Sequence, residues 1–138
     1  MTGRGAGSKR ETLLGSAMAD WIGVEKTGRE NVYVMRFAER HIGNPFVRAL
    51  HGGAVGAMIE IAAEIELGRL QPDCAVELAS SAVDYLRVTK DADLYARVEV
   101  VRVARRVAFL SVWCWQDGED TPVAHGHCTL RLFAAETA

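Results

Sequence analysis

The chain has 138 residues, 49% of them hydrophobic, which is enough for one domain with a substantial core. A formal net charge of -2 without any long block of like charges gives nucleic acid or an anionic membrane nothing to bind, so neither is expected as a partner. Three cysteines, Cys74, Cys114 and Cys128, are an odd number without Cys-x-x-Cys spacing; they fit neither a disulfide framework nor a zinc site, and point to a reducing, cytoplasmic setting.

Residues 1–7 are rich in glycine and lack an apolar run of signal-peptide length, so they read as a flexible tail ahead of a single soluble domain over residues 8–138. Ser8, with Glu11 three residues later, has the form of a capping box, and Leu13, Leu14, Ala17, Met18 and Trp21 recur at helical spacing, which predicts a short amphipathic helix to about Asp20. Val24-Glu-Lys and the β-branched, aromatic run Val32 to Phe37 flank the turn signal Gly28-Arg-Glu-Asn31 and predict a strand hairpin.

A loop follows that turns at Asn44-Pro45, reaches His51 and enters a helix through Gly52 and Gly53, which put no side chain between the backbone and a ligand. From about Ala54 to Leu67 the helix is apolar around its circumference, so it should be wrapped by other structure, and it is expected to stop near Gly68 with Pro72 beyond. Glu60 stands in the middle of that wrapped helix, where a carboxylate without partners is costly. A helix N-terminus that can hold developing negative charge, with that carboxylate about two turns further in, gives its presence a reason. Glu64, one turn beyond Glu60 on the same face, is the alternative catalytic carboxylate or its neighbour, while Glu66 reads as a solvated residue at the helix end.

Four strands follow: Val76 to Val88, Leu94 to Ala104, Val107 to Gln116, and Val123 to Phe133. In the second of them the apolar phase moves from even to odd positions near residue 100, which predicts a bulge and a curved sheet. Val107 to Trp115 is apolar on both faces, as for a central strand with the helix on one side and a partner subunit on the other. The fold class is therefore α+β, with a curved antiparallel sheet wrapped around one long helix.

The order of elements and the runs Gly43-Asn-Pro-Phe and Leu50-His-Gly-Gly-Ala-Val, with an acidic residue nine positions after the histidine, resemble the hotdog-fold acyl-CoA thioesterases related to the phenylacetate-degradation enzyme. Val83-Asp-Tyr-Leu-Arg87, Asp93-Leu-Tyr-Ala and Ala124-His-Gly extend the resemblance over roughly residues 24 to 133. It implies hydrolysis of a small or medium acyl-CoA, aromatic groups among the candidates, in a homodimer or homotetramer whose site lies between protomers. It also implies that coenzyme A enters only as part of the substrate, with no metal or redox cofactor. Carried over, the acidic role falls on Glu60, the thioester-oxygen amide on Gly52, the orienting amide side chain on Asn44, and a supporting hydrogen bond on His51, with Gly53 beside them. Ser80 and Ser81 are candidates for the hydroxyl position early in the next strand. Among the basic residues near strand ends, Arg87, Arg105 and Arg106 are candidates for the coenzyme A phosphates, and solvated arginines are the alternative.

Two other functions stay open: a hydratase or dehydratase using His51 and Glu60 on an acyl thioester, and a non-catalytic acyl-CoA-binding module. His125 and His127 share one strand face and are of metal-ligand type, but without a third ligand they read as surface or interface residues. The cysteines read as small buried hydrophobes, and Phe109, Trp113 and Trp115 as core or subunit-contact residues.

Overall fold

The computed structural model describes residues 17–134. Helix α1 (Ala17–Ile22) is the described part of the predicted N-terminal helix, and Ile22 is fully buried. Residues 8–16 of that prediction, and the predicted tail, lie outside the described residues. The hairpin β1 (Val24–Lys26) and β2 (Val32–Met35) forms as expected and continues the sheet through β2 against β6 (Leu94–Val103).

The segment read as a plain loop before the long helix contains a small hairpin, β3 (Ile42–Asn44) with β4 (Ala49–Leu50). Gly43 is what permits it, since a Cβ there would lie 2.8 Å from the Cα of His51. Arg48 closes the turn with φ of 51°, a left-handed conformation uncommon outside glycine, and its guanidinium is fastened to Asp91 at 2.7 Å and Glu39 at 2.8 Å.

Helix α2 (Gly52–Leu70) lies in the curl of a six-stranded antiparallel sheet of order β1-β2-β6-β7-β8-β5, with β5 spanning Cys74–Tyr85, β7 Val107–Trp115 and β8 Ala124–Ala134. The helix buries residues around most of its circumference, among them Val55, Met58, Ile59, Ile61, Ala62, Ile65 and Leu67, which is why it has no single apolar stripe. This is the hotdog arrangement that the resemblance implied. The helix does not stop at Gly68; it runs on to Leu70, where the Gln71 N–H closes on the Leu67 carbonyl at 2.9 Å and Pro72 prevents further turns.

That extension corrects the reading of Glu66. It is buried, with 3% of its surface exposed, and accepts a hydrogen bond from the Tyr33 hydroxyl at 2.8 Å and an ion pair from Arg69 at 2.7 Å. Because the helix continues past it, Glu66 faces β2 instead of solvent. Burial, followed by the Glu66 carboxylate, pushes the Tyr33 hydroxyl well above its ordinary range, so the pair acts as a phenol donating to a carboxylate.

Two bulges set the phase of the sheet. The one expected near residue 100 falls between Val100 and Arg102 in β6, against β7. The second, between Leu78 and Ser80 of β5, was not foreseen: Leu78 pairs with Leu130 and Ser80 with Thr129, leaving Ala79 as the extra residue. Before it, Val76 and Leu78 oppose the inward Leu132 and Leu130; after it, Ser81, Val83 and Tyr85 oppose the inward Cys128, Gly126 and Ala124. The inward set of β5 therefore changes from even to odd numbers at Ala79.

Candidate functional site at the helix entrance

His51 is the cap of helix α2. Its extended backbone ends β4, its Nδ1 accepts the Gly53 N–H at 3.1 Å, and its carbonyl accepts the N–H groups of Ala54 and Val55 at 2.9 and 3.1 Å. Its own N–H donates to the His41 carbonyl at 2.6 Å, and His41 is fully buried with Nδ1 accepting from Ala38 N–H at 3.2 Å. The first turn is thus satisfied except at Gly52, whose N–H has no acceptor among the described residues and is exposed at the positive end of a 19-residue helix. The Gly53 amide, by contrast, is occupied by His51.

Tyr85, delivered inward by the β5 bulge, donates its hydroxyl to the Gly52 carbonyl at 2.8 Å. Gly52, Tyr85, Leu50, Val55 and Arg87 line a cavity of about 430 Å³ that opens beside the free amide. Arg87 reaches across to the Pro122 carbonyl at 2.6 Å. Sequence reasoning passed over Tyr85; the signal for it was the odd-numbered apolar phase of Val83 and Tyr85, which has meaning only once the bulge is placed.

Eight residues along the same helix, half-buried Glu60 accepts the Ser81 hydroxyl on Oε2 at 2.5 Å. Ser81 owes that contact to the same bulge, while Ser80, on the opposite face of the strand, opposes Thr129 and is exposed. Burial, and then the charge of Glu60, raises the carboxyl of Glu64 above its ordinary value. Helix α2 comes close to the sheet here because β8 carries Gly126: a Cβ at that position would lie 2.3 Å from Cγ2 of Ile59, the residue before Glu60. Cys128 also faces this flank, and burial followed by the Glu60 and Glu64 charges pushes its thiol up to about 12, far from nucleophilic use.

The remaining candidates are placed apart. Asn44 turns its Oδ1 onto the Phe46 N–H at 3.0 Å and so braces its own turn. Arg105 and Arg106 line a different cavity with Arg131 and Phe133. That cavity is at the end of β8 remote from Ala124, the partner of Tyr85. The seven steps of strand from Ala124 to Arg131 separate the two ends of the sheet by about 23 Å.

Comparison with known proteins agrees with this architecture. The family model of the acyl-CoA thioesterase N-terminal domain matches residues 39–131. No curated protein matches the chain. Among solved structures, a phenylacetic acid degradation-related protein from Ralstonia eutropha is 21% identical with a TM-score of 0.74, covering 88% of this chain and 96% of that one. A conserved protein from Pseudomonas aeruginosa is 19% identical with a TM-score of 0.78, covering 90% and 98%. A Bacillus halodurans protein solved with CoA is 18% identical with a TM-score of 0.76, covering 94% and 84%. These likenesses carry the hotdog fold, and the family model, which takes in the His51 cap, Gly52, Glu60, Ser81 and Tyr85, carries the assignment: the chain belongs to the acyl-CoA thioesterase domain family.

Proposed function

We propose that this protein hydrolyses an acyl-CoA thioester of small or medium acyl group to the free acid and coenzyme A, in a site completed by a second copy of the chain. The observation that carries the reading is the unpaired Gly52 N–H at the head of α2, with a serine-held carboxylate further along the same helix. In the reaction the amide takes the thioester oxygen as it becomes an oxyanion, a role worth on the order of 3 kcal/mol for one donor. Glu60 either draws a proton from the attacking water or attacks the carbonyl itself through an anhydride, and the coenzyme A thiol departs. In this reading the acyl-CoA lies along the cavity beside Gly52, with Arg87 at its wall for the phosphates. The CoA bound in the Bacillus halodurans structure supports a ligand of this class.

Distance supports the second copy. Gly52 and Glu60 are about 12 Å apart along the helix axis, whereas one thioester carbon must come within about 3 Å of both the attacking group and the oxyanion donor. A glutamate side chain leaning toward the helix N-terminus recovers only part of that gap. Among the described residues the twelve-residue edge strand β5 pairs only with β8, on one side, and the flank of α2 bearing Glu60 and Glu64 is half-exposed beside it. A two-fold partner joined along β5 covers both, and sets the Gly52 of one chain against the Glu60 of the other.

Two variants test this together. Glu60→Gln can still accept from Ser81 and should fold, but it loses the base, so thiol release should fall by at least about a hundredfold. Gly52→Pro removes the N–H and adds a ring whose Cβ would lie 3.8 Å from the Tyr85 hydroxyl, at the first helical position where proline is tolerated and after a His51 already in the extended conformation, and should also be inactive. Co-expressed, the two should regain up to about a quarter of wild-type activity, because half the dimers are mixed and each mixed dimer keeps one intact site. Retained thiol release in Glu60→Gln would eliminate that carboxylate, with Glu64→Gln as the control. Two dead variants without recovery on mixing would put the amide and the carboxylate in one chain.

A further inference from the structure

The outer face of the sheet carries a cluster that the hydrolytic reading does not use. In β8 the residues alternate, so that Ala124, Gly126 and Cys128 face the helix while His125 and His127 face away from it. The β5 bulge turns Asp84 to that same outer face, paired in register with His125, and brings its Oδ2 to 3.7 Å from Nε2 of His127. One ring nitrogen from each histidine and one carboxylate oxygen of Asp84 all lie within 4.8 Å of one another. The sequence offered two histidines on one face and lacked a third ligand; the strand pairing supplies it from residue 84.

The cluster is held in place. The His125 ring stacks on Trp113 at 3.7 Å between centroids with 13° between planes, and its Nε2 is 2.5 Å from Oγ of Ser111, so neither the ring plane nor its direction is free. Outer partners of this kind orient metal-binding imidazoles. The His127 ring meets it edge-on at 4.3 Å, and the His127 and Asp84 side chains are open to solvent, which leaves a coordination position for water or an external group.

We infer that Asp84, His125 and His127 form a surface site for a divalent transition metal of the zinc class. Two imidazoles and one carboxylate suit zinc, nickel or copper(II); calcium and magnesium, which take oxygen ligands, are the wrong chemistry. Small side-chain rotations bring the three ligand atoms from their present spacing to a common ion at about 2.0 to 2.2 Å. The ion would join β8 to the edge strand β5, the strand that carries Ser81 and Tyr85 on its other face, so its effect on the protein is to fasten that edge. It acts across the sheet from Glu60 and takes no part in hydrolysis.

The test is calorimetric titration of untagged full-length protein with zinc sulfate, paired with thermal denaturation. Wild type should bind one zinc per chain and melt at a higher temperature when loaded. His127→Gln and Asp84→Asn, both at exposed positions, should fold normally, each lose at least about tenfold in affinity, and lose the thermal gain. Cobalt(II) substituted for zinc should show only nitrogen and oxygen ligation. Absence of binding at submillimolar zinc, affinity unchanged in both variants, or a thiolate band in the cobalt spectrum would each overturn the assignment, the first two by leaving Asp84 and His127 a plain ion pair.

Discussion

Replacing Gly126 by alanine is the most direct test of how the carboxylate flank of α2 is built. The added Cβ would sit 2.3 Å from Cγ2 and 3.3 Å from Cδ1 of Ile59, whereas ordinary contact begins near 3.4 Å, so helix and sheet must separate by about 1.1 Å or Ile59 must rotate. Rotation is poorly available: Ile59 is fully buried, and a β-branched side chain in a helix has essentially one χ1 well. Overpacking of this kind costs about 1 to 3 kcal/mol, which for a chain of this size lowers the melting temperature by roughly 3 to 10 °C. Ile59→Ala, which removes the obstructing atoms, costs about 2 to 5 kcal/mol alone. The double variant should be less destabilised than the sum of the two by at least about 1 kcal/mol, because the new methyl group occupies part of the vacated space. Urea denaturation of the four proteins completes the cycle. Strict additivity, or a Gly126→Ala protein as stable as wild type, would show that α2 is not seated on this glycine.

Two further perturbations address the buried carboxyl groups. Glu64 has its carboxyl raised by burial and by Glu60, so the folded chain holds a proton that the unfolded chain releases. Stability linked to that proton is complete below the ordinary carboxylate range and is lost as pH rises through the raised value. Glu64→Gln should therefore melt higher than wild type at about pH 8, with the gain vanishing by about pH 4; a pH-independent difference would contradict it. Glu66→Ala strands the buried Tyr33 hydroxyl and one side of Arg69, and should cost about 2 to 4 kcal/mol by urea denaturation, with Glu66→Gln milder because it can still accept from Tyr33. Equal stability of Glu66→Ala and wild type would mean that Glu66 is solvated in solution.

The architecture was legible because its strongest signals are local. The all-round apolar run after Gly53 and the phase change near residue 100 each follow from a few neighbouring residues, and have their counterparts in α2 and the β6 bulge. The entrance was legible for the same reason, since His51-Gly-Gly caps the helix out of its own sequence. What escaped depends on pairing between distant segments. Glu66 looked terminal because Gly68 looked like a stop; only Tyr33, from another strand, gives its carboxylate a buried partner. Tyr85 and the Asp84 partner of His127 could not be seen without the register of β5 on β8, and the run Ala79-Ser-Ser-Ala82 offers no hydrophobic alternation from which a bulge can be read. Arg105 and Arg106 were grouped with Arg87 by charge alone, whereas strand length puts them at the opposite end of the sheet.

Ala79 has no side chain of chemical interest, yet it is the residue that β5 accommodates without a partner on β8. A three-nucleotide deletion of its codon would leave Leu78, Ser80 and Ser81 opposite Leu130, Thr129 and Cys128 in unbroken alternation, so Ser81 and Tyr85 would still face the helix and Ser80 and Asp84 the outside, with only the local kink of the bulge removed. Deleting Ala82 instead would disturb the display on one side or the other: Tyr85 turns to solvent if the bulge is kept, and Ser81 does if it closes. The bulge is thus one residue of slack in β5, and loss of Ala79 should be tolerated where loss of a residue further along the strand is not.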